Sequence, residues 1–232
     1  MRMTARDIAR LTDISAVRTR YGEAEIRELA ETAKRYGFFA VHVLPCWVSF
    51  LRGLLAGSND VLTGAPVGFP AGGHRTDIKV AEARALVADG VQEMDMMLNV
   101  GKLRSGEYRY VEEEIKAVVQ AAGRVPVKVI IEAPLLTDDQ IRKACDLCIG
   151  GGAAFVKTST GWLPNGATLD MIRLITAHVG RSIQVKAAGG IRDLQTMVEM
   201  LRLGVARFGI NQKTAVEIVT AVAALPGGTA EV

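Results

Sequence analysis

Eight short apolar runs recur along the chain, each followed by a segment with the spacing of an amphipathic helix. They read "LTDIS" (11–15), "FFAVHVL" (38–44), "VLTGAPVGF" (61–69), "EMDMMLNV" (93–100), "VPVKVIIEA" (125–133), "AAFVKTS" (153–159), "IQVKAAG" (183–189) and "ARFGI" (206–210). The helical segments between them carry apolar faces, such as Val111, Ile115, Val118, Val119 and Ala122, or Leu194, Met197, Val198 and Leu201. Thr168 and Asp193 stand where N-caps belong, and "TDDQ" (137–140) reads as a capping box. Strand and helix alternating without a linker or low-complexity tract predict a single (β/α)₈ barrel, a TIM barrel, over residues 1–232. An open doubly wound sheet is the competing architecture, but its GxGxxG after the first strand is absent.

The bulk properties narrow the function. A net charge of +3 without a basic run gives nucleic acid no footprint. The opening "MRMTARDIAR" lacks a signal peptide's apolar stretch and no run reaches membrane-spanning length, so a cytoplasmic protein without a membrane partner is expected. Cys145 and Cys148 form a lone CxxC but share a helix face with Ile141, Ala144 and Ile149, which predicts core packing. The histidines, His42, His74 and His178, are widely spaced and no metal-binding motif is present, so no metal or cofactor is expected.

Period-two alternation along the strands sorts the side chains. Asp95, Met97 and Asn99 share one face; so do Lys128, Ile130 and Glu132, then Phe155, Lys157 and Ser159, then Gln184, Lys186 and Ala188. The opposite faces, with Val127, Val129, Ile131, Val156 and Val185, are apolar and suit packing beneath helices. The polar sets therefore point into the barrel, and Asp95, Lys128, Lys157 and Lys186 are expected to cluster near the C-terminal strand ends, where such barrels do chemistry. A buried ion-pair network is the competing explanation, with Glu132 pairing Lys128; three lysines against Asp95, Glu132 and Asp13 balance poorly for that purpose.

A free lysine titrates near ~10.4 and is protonated at neutral pH. Neighbouring strands lie ~4.8 Å apart. Two ammonium groups at roughly 5–6 Å repel by about 3 kcal/mol at an effective dielectric of ~20, equivalent to about 2 pKa units. Desolvation acts in the same direction. One lysine of the pair becomes a neutral amine able to form a Schiff base with a carbonyl, and Asp95 is placed to move protons. The residues alone leave open which lysine attacks.

"EMDMMLNVGKL", "VKVIIEAPLLTDDQI", "GAAFVKTSTGW", "VKAAGGIRD" and "VGFPAGGHRTDIKVAEA" resemble the deoxyribose-phosphate aldolase family, in order and across most of the chain. The resemblance implies a class I, metal-free aldolase in which Lys157 forms the Schiff base, Lys186 is the cation lowering its pKa and Asp95 transfers protons. Asp13, Ser15, Lys128, Thr158, Gly161, Gly189, Gly190, Arg192, Gly209 and Asn211 form the expected substrate-binding set.

The departures from the family pattern cluster at one end. Trp162 follows "KTSTG", Ala188 replaces a serine, and Asn211, Gln212 and Lys213 stand where the family has a glycine- and serine-rich phosphate turn. Side chains at 211–213 are expected to crowd a phosphate, with Lys213 as counter-charge for a different, unphosphorylated acceptor. "GFPAGG" (68–73) reads as a tight turn, His74 as a surface residue, and Cys46 as either a thiol near the mouth or a buried inert one. Two alternatives stand beside the aldolase: a lysine-dependent keto-acid aldolase, dehydratase or decarboxylase, and a non-catalytic sugar- or anion-binding barrel. Val216, Ile218, Val219, Val222 and Leu225 give the last helix an apolar face for the barrel or for a second subunit, leaving a homo-oligomer open.

Overall fold

The computed structural model describes residues 1–58 and 60–232. Ten strands run in chain order: β1 (Arg2–Thr4), β2 (Thr12–Ala16), β3 (Ala40–Val43), β4 (Leu62–Val67), β5 (Glu93–Met97), β6 (Val127–Ile130), β7 (Phe155–Lys157), β8 (Gln184–Ala188), β9 (Arg207–Ile210) and β10 (Thr229–Glu231). The helices are α1 (Ala5–Arg10), α2 (Glu23–Tyr36), α3 (Val48–Leu54), α4 (Thr76–Ala88), α5 (Val100–Arg104), α6 (Tyr108–Ala122), α7 (Asp138–Gly150), α8 (Leu169–Val179), α9 (Leu194–Arg202) and α10 (Gln212–Ala223). Strands β2 to β9 pair in parallel and close into a barrel, while β1 and β10 form a separate antiparallel pair. The expected TIM barrel is the architecture found.

Local chemistry explains the helix starts. Thr137 accepts from the amide of Gln140, whose side chain returns the bond, completing the capping box of α7. Thr168, Asp193 and Asn211 cap α8, α9 and α10 by accepting from Met171, Thr196 and Thr214. The outward faces of the strands, Val127, Val129, Val156, Val185 and Ala187, are buried under the helices in one continuous apolar layer. Ile218, Val219 and Val222 belong to it, so the apolar face of α10 packs on the barrel. Cys145 and Cys148 are buried in the same layer, and burial pushes the Cys145 thiol up to about 12, which leaves the pair inert. No described helix is long and apolar enough to cross a membrane.

Alternation holds only as far as the strands do. β5 stops at Met97, and Asn99 turns to cap α5 by accepting from the Lys102 amide. β6 stops at Ile130, and Glu132 adopts a left-handed φ of 49°. Neither residue continues the lumen face that strict alternation predicts.

Candidate active site

Parallel register places Asp95 opposite Lys128, Ile130 opposite Lys157, and Lys157 opposite Lys186, which itself lies opposite Arg207. Asp13 on β2 completes the ring beside Gly209. The lumen is thus lined by four cations, Lys128, Lys157, Lys186 and Arg207, against three carboxylates, Asp13, Glu93 and Asp95. The ammonium of Lys157 donates to Asp95 Oδ2 at 2.7 Å, and Lys186 Nζ reaches the same oxygen at 3.0 Å and Asp13 Oδ2 at 2.6 Å. Arg207 Nη1 sits 3.0 Å from Asp13 Oδ1.

The Lys128–Glu132 pairing of the competing ion-pair explanation does not form. Lys128 pairs with Glu93 Oε2 at 2.8 Å, not with Glu132. Glu132, past the end of its strand, accepts instead from the amide of Thr160 at 3.0 Å and its hydroxyl at 2.6 Å. Glu93, Arg207 and His42 are lumen residues that the sequence reading did not single out. The signal was present, since Glu93 lies two residues before Asp95 and Arg207 two before Gly209.

The lysines are electrostatically unlike one another. Burial depresses the Lys157 pKa, helped by the charges of Lys186 and Lys128, and the pull of Asp95 does not fully offset this. Burial also acts against charged Lys186, but Asp13, Asp95 and Glu93 outweigh it and raise its pKa. Asp95 is likewise buried, yet His42 when its ring is protonated, together with Lys157, Lys186 and Lys128, holds it well below the usual carboxylate range. Of these two lysines, Lys157 is therefore the one that loses its proton more readily, and Lys186 remains an ammonium.

A cavity of about 490 Å³ opens over this cluster at the C-terminal strand ends, the size of a small-molecule site. Lys157 is 9% exposed at its floor, against 1% for Lys186 and 0% for Lys128. Its wall includes Asp13, Ser15, Asp95, Gly161, Gly189, Gly190, Arg192, Gly209 and Asn211. Lys128 and Thr158 are not part of it. Lys128 is sealed beneath Glu93, and the Thr158 hydroxyl bridges two strands, accepting from the Ala188 amide at 2.9 Å and donating to the Ala188 carbonyl at 3.1 Å. A Cβ at Gly209 would lie 3.2 Å from Ala188 Cβ and 3.4 Å from Lys186 Cε, so glycine there leaves room for the lysine stem.

The loop after β7 crosses the mouth. The indole N–H of Trp162 donates to the Val17 carbonyl at 3.2 Å, and its ring meets Phe69 edge-on at 5.8 Å. Arg18 stacks over the indole at 5.0 Å and donates to the Gly161 carbonyl. Trp162 thus roofs the cavity by binding the loops after β2 and β4. Gly189 and Gly190, with φ of 71° and 76°, turn the chain beneath this roof, facing Asn211 at the start of α10.

The expected crowding at 211–213 does not occur. The Asn211 side chain is engaged in capping α10. Gln212 turns to Glu28 and Thr32, donating to each at 2.9 Å, and Lys213 projects into solvent near Glu217. The turn directs the second and third side chains away from the cavity, so Lys213 is no counter-charge within it. His74 is exposed, and Cys46 is exposed in the turn after β3, apart from the cavity wall. Asp13, His42 and Glu93 bring three ligand-type atoms within 4.8 Å of one another. Lys186, Arg207 and Lys128 already neutralise those two carboxylates, a donor set ill suited to a divalent ion.

The profile of the DeoC/LacD family aldolases matches residues 14–209. The deoxyribose-phosphate aldolase of Sinorhizobium medicae is 52% identical over 230 residues, covering 99% of this chain and 93% of the relative. That of Klebsiella pneumoniae is 50% identical over 213 residues, covering 91% and 86%. The solved deoxyribose phosphate aldolase from Aeropyrum pernix, described as a unique tetramer, superimposes with a TM-score of 0.87 at 27% identity, covering 96% of this chain and 94% of its own.

Proposed function

The chain belongs to the DeoC/LacD family of aldolases, and from that premise we propose that it is a class I, Schiff-base aldolase of the deoxyribose-phosphate type. It joins acetaldehyde to glyceraldehyde 3-phosphate, and splits the product, reversibly. The observation that carries this reading is the asymmetry of the lysines: Lys157 alone opens on the cavity with a depressed pKa, 2.7 Å from Asp95, while Lys186 is held protonated.

The chemistry follows from that asymmetry. Neutral Lys157 attacks the acetaldehyde carbonyl, and loss of water leaves an iminium whose positive charge draws electrons from the adjacent carbon. A carboxylate at Asp95 accepts the proton released there, and the resulting enamine attacks the acceptor aldehyde. Lys186, an ammonium on the cavity floor, favours the oxyanions that form on either carbonyl oxygen. The Gly189–Gly190 turn, Arg192 and the N-terminal end of α10 supply the kind of surface that takes a phosphate. With Gln212 and Lys213 turned outward, the phosphorylated acceptor is the better-supported one. The tetramer named for the Aeropyrum relative supports self-association here as well, which light scattering would test.

The decisive experiment is borohydride reduction in the presence of acetaldehyde, and separately of pyruvate, followed by peptide mass mapping. An acetaldehyde adduct on Lys157, with faster cleavage of deoxyribose 5-phosphate than of deoxyribose, supports the reading. An adduct with pyruvate alone moves the enzyme to keto-acid chemistry. No adduct from folded protein removes the Schiff base altogether.

A further inference from the structure

His42 is a lumen group on the cavity wall to which the reaction scheme above gives no role. It is 3% exposed, lies on the cavity wall, and neither ring nitrogen has a hydrogen-bond partner. Nε2 stands 3.6 Å from Asp13 Oδ2 and 3.8 Å from Glu93 Oε2; Nδ1 stands 3.7 Å from Asp95 Oδ2. That last oxygen is the one that accepts from Lys157. The position is built to hold a ring: Gly64, opposite His42 on β4, has no Cβ, and one placed there would overlap the imidazole.

The enamine step needs somewhere to keep a proton. Asp95 can accept it but is a poor store, because the surrounding cations favour its ionised form, and the same is true of Asp13. Lys186 is already an ammonium, and Lys157 is committed as the imine. The remaining ionisable groups on the cavity wall are guanidiniums and a phenol, types that ordinarily titrate far above neutrality. Imidazole is the side chain suited to taking and returning a proton at neutral pH.

We propose that His42 stores the substrate proton while the enamine exists, receiving it at Nδ1 from Asp95 and returning it by the same path. The proposal rests on the Schiff-base aldolase reading. In the forward sense the C–H bond beside the iminium carbon breaks, its electron pair becomes the enamine double bond, and the iminium nitrogen is neutralised. The proton passes to Asp95 and then to His42; the reverse sequence re-forms the C–H bond. The 3.7 Å gap is of the kind that tightens when substrate binds. His42 acts through Asp95 and is a positioning residue for it. The groups facing it are Asp13 from β2 and Glu93 and Asp95 from β5, and these carboxylates in turn pair with Lys128 from β6, Lys157 from β7, Lys186 from β8 and Arg207 from β9.

Exchange of the acetaldehyde methyl hydrogens for deuterium in heavy water isolates this step, since it needs no acceptor. In His42→Gln the borohydride adduct on Lys157 persists, but exchange slows by about 10–100-fold and its pH profile loses a limb. Gln and Asn hydrogen-bond yet cannot store a proton, so rescue by either variant, or an unchanged rate and profile, overturns the proposal. A measurement on the unaltered enzyme guards against misfolded variants. With only three histidines, the ring signal of His42 can be assigned by NMR, and acetaldehyde must alter its titration; if it does not, the proposal fails. Absence of any adduct on Lys157 in the unaltered enzyme would instead sink the aldolase reading itself.

Discussion

Lys157→Ala removes the only lysine that meets the cavity with a weakened hold on its proton, so cleavage of deoxyribose 5-phosphate falls by about 10³-fold or more and the borohydride adduct disappears. Lys186→Met acts differently. Its charge helps depress Lys157; without it the Lys157 pKa rises, the neutral fraction at a given pH falls, and the activity profile moves to higher pH. A pH–rate profile checks the sign, and a shift to lower pH would contradict the assigned roles. At this scale the residues Asp95, Lys157 and Lys186 were legible because charged side chains interrupt apolar strands. Glu93 and Arg207 were legible in principle by the same alternation. Lys128 was misjudged because alternation tells which face a side chain occupies but not how deep it lies, and Lys128 lies below the cavity floor.

The elements supply what single residues cannot. Gly166 in the loop after β7 packs so closely on the Gly189–Gly190 backbone that a Cβ would overlap it. Backbone cannot move aside as a side chain can, so Gly166→Ala displaces the glycine turn. A several-fold rise in KM for deoxyribose 5-phosphate, with borohydride trapping on Lys157 unchanged, is the expected result. Behind the barrel, Lys79 on α4 and Glu114 on α6 form a fully buried pair at 2.9 Å, and Lys79 also donates to the Met97 carbonyl at the end of β5. Lys79→Met leaves an uncompensated buried carboxyl and costs about 3–5 kcal/mol in denaturant unfolding, whereas Lys79→Met with Glu114→Leu recovers most of it. The helices and their caps could be read locally, because caps depend on neighbours three residues away. The end of β6 could not, because the turn at Glu132 answers to a partner elsewhere: Glu132 is bound by Thr160.

Across the whole molecule, closure of β2–β9 gathers residues from Asp13 to Arg207 into one lumen, where the charges are shielded from solvent ions. The end of the cavity proposed to take the phosphate opens to solvent, with Arg192 and Asn211 exposed. Salt screening reaches the second region and not the first; the Debye length falls from about 10 Å at 0.1 M to about 3 Å at 1 M. KM for deoxyribose 5-phosphate therefore rises several-fold over that range while kcat stays nearly constant, and the KM for unphosphorylated deoxyribose changes little. Steady-state kinetics at the two salt concentrations test this.

The sequence by itself determined the barrel, because period-two strands and amphipathic helices alternating at regular intervals admit few other closures. It also determined which strands carry the amine, its neighbouring cation and the carboxylate, since those charges stand out against apolar runs. The residues taken without the family resemblance left open which lysine gives up its proton more readily; the tertiary structure supplies the physical ground, because that depends on carboxylates contributed by β2 and β5 at a few ångströms. It also decided that Gln212 and Lys213 turn away from the cavity, and that His42 stands unpartnered beside Asp95. Side-chain direction at a strand-to-helix turn and distances across a closed lumen are set by packing among segments far apart in the chain, and no local pattern encodes them.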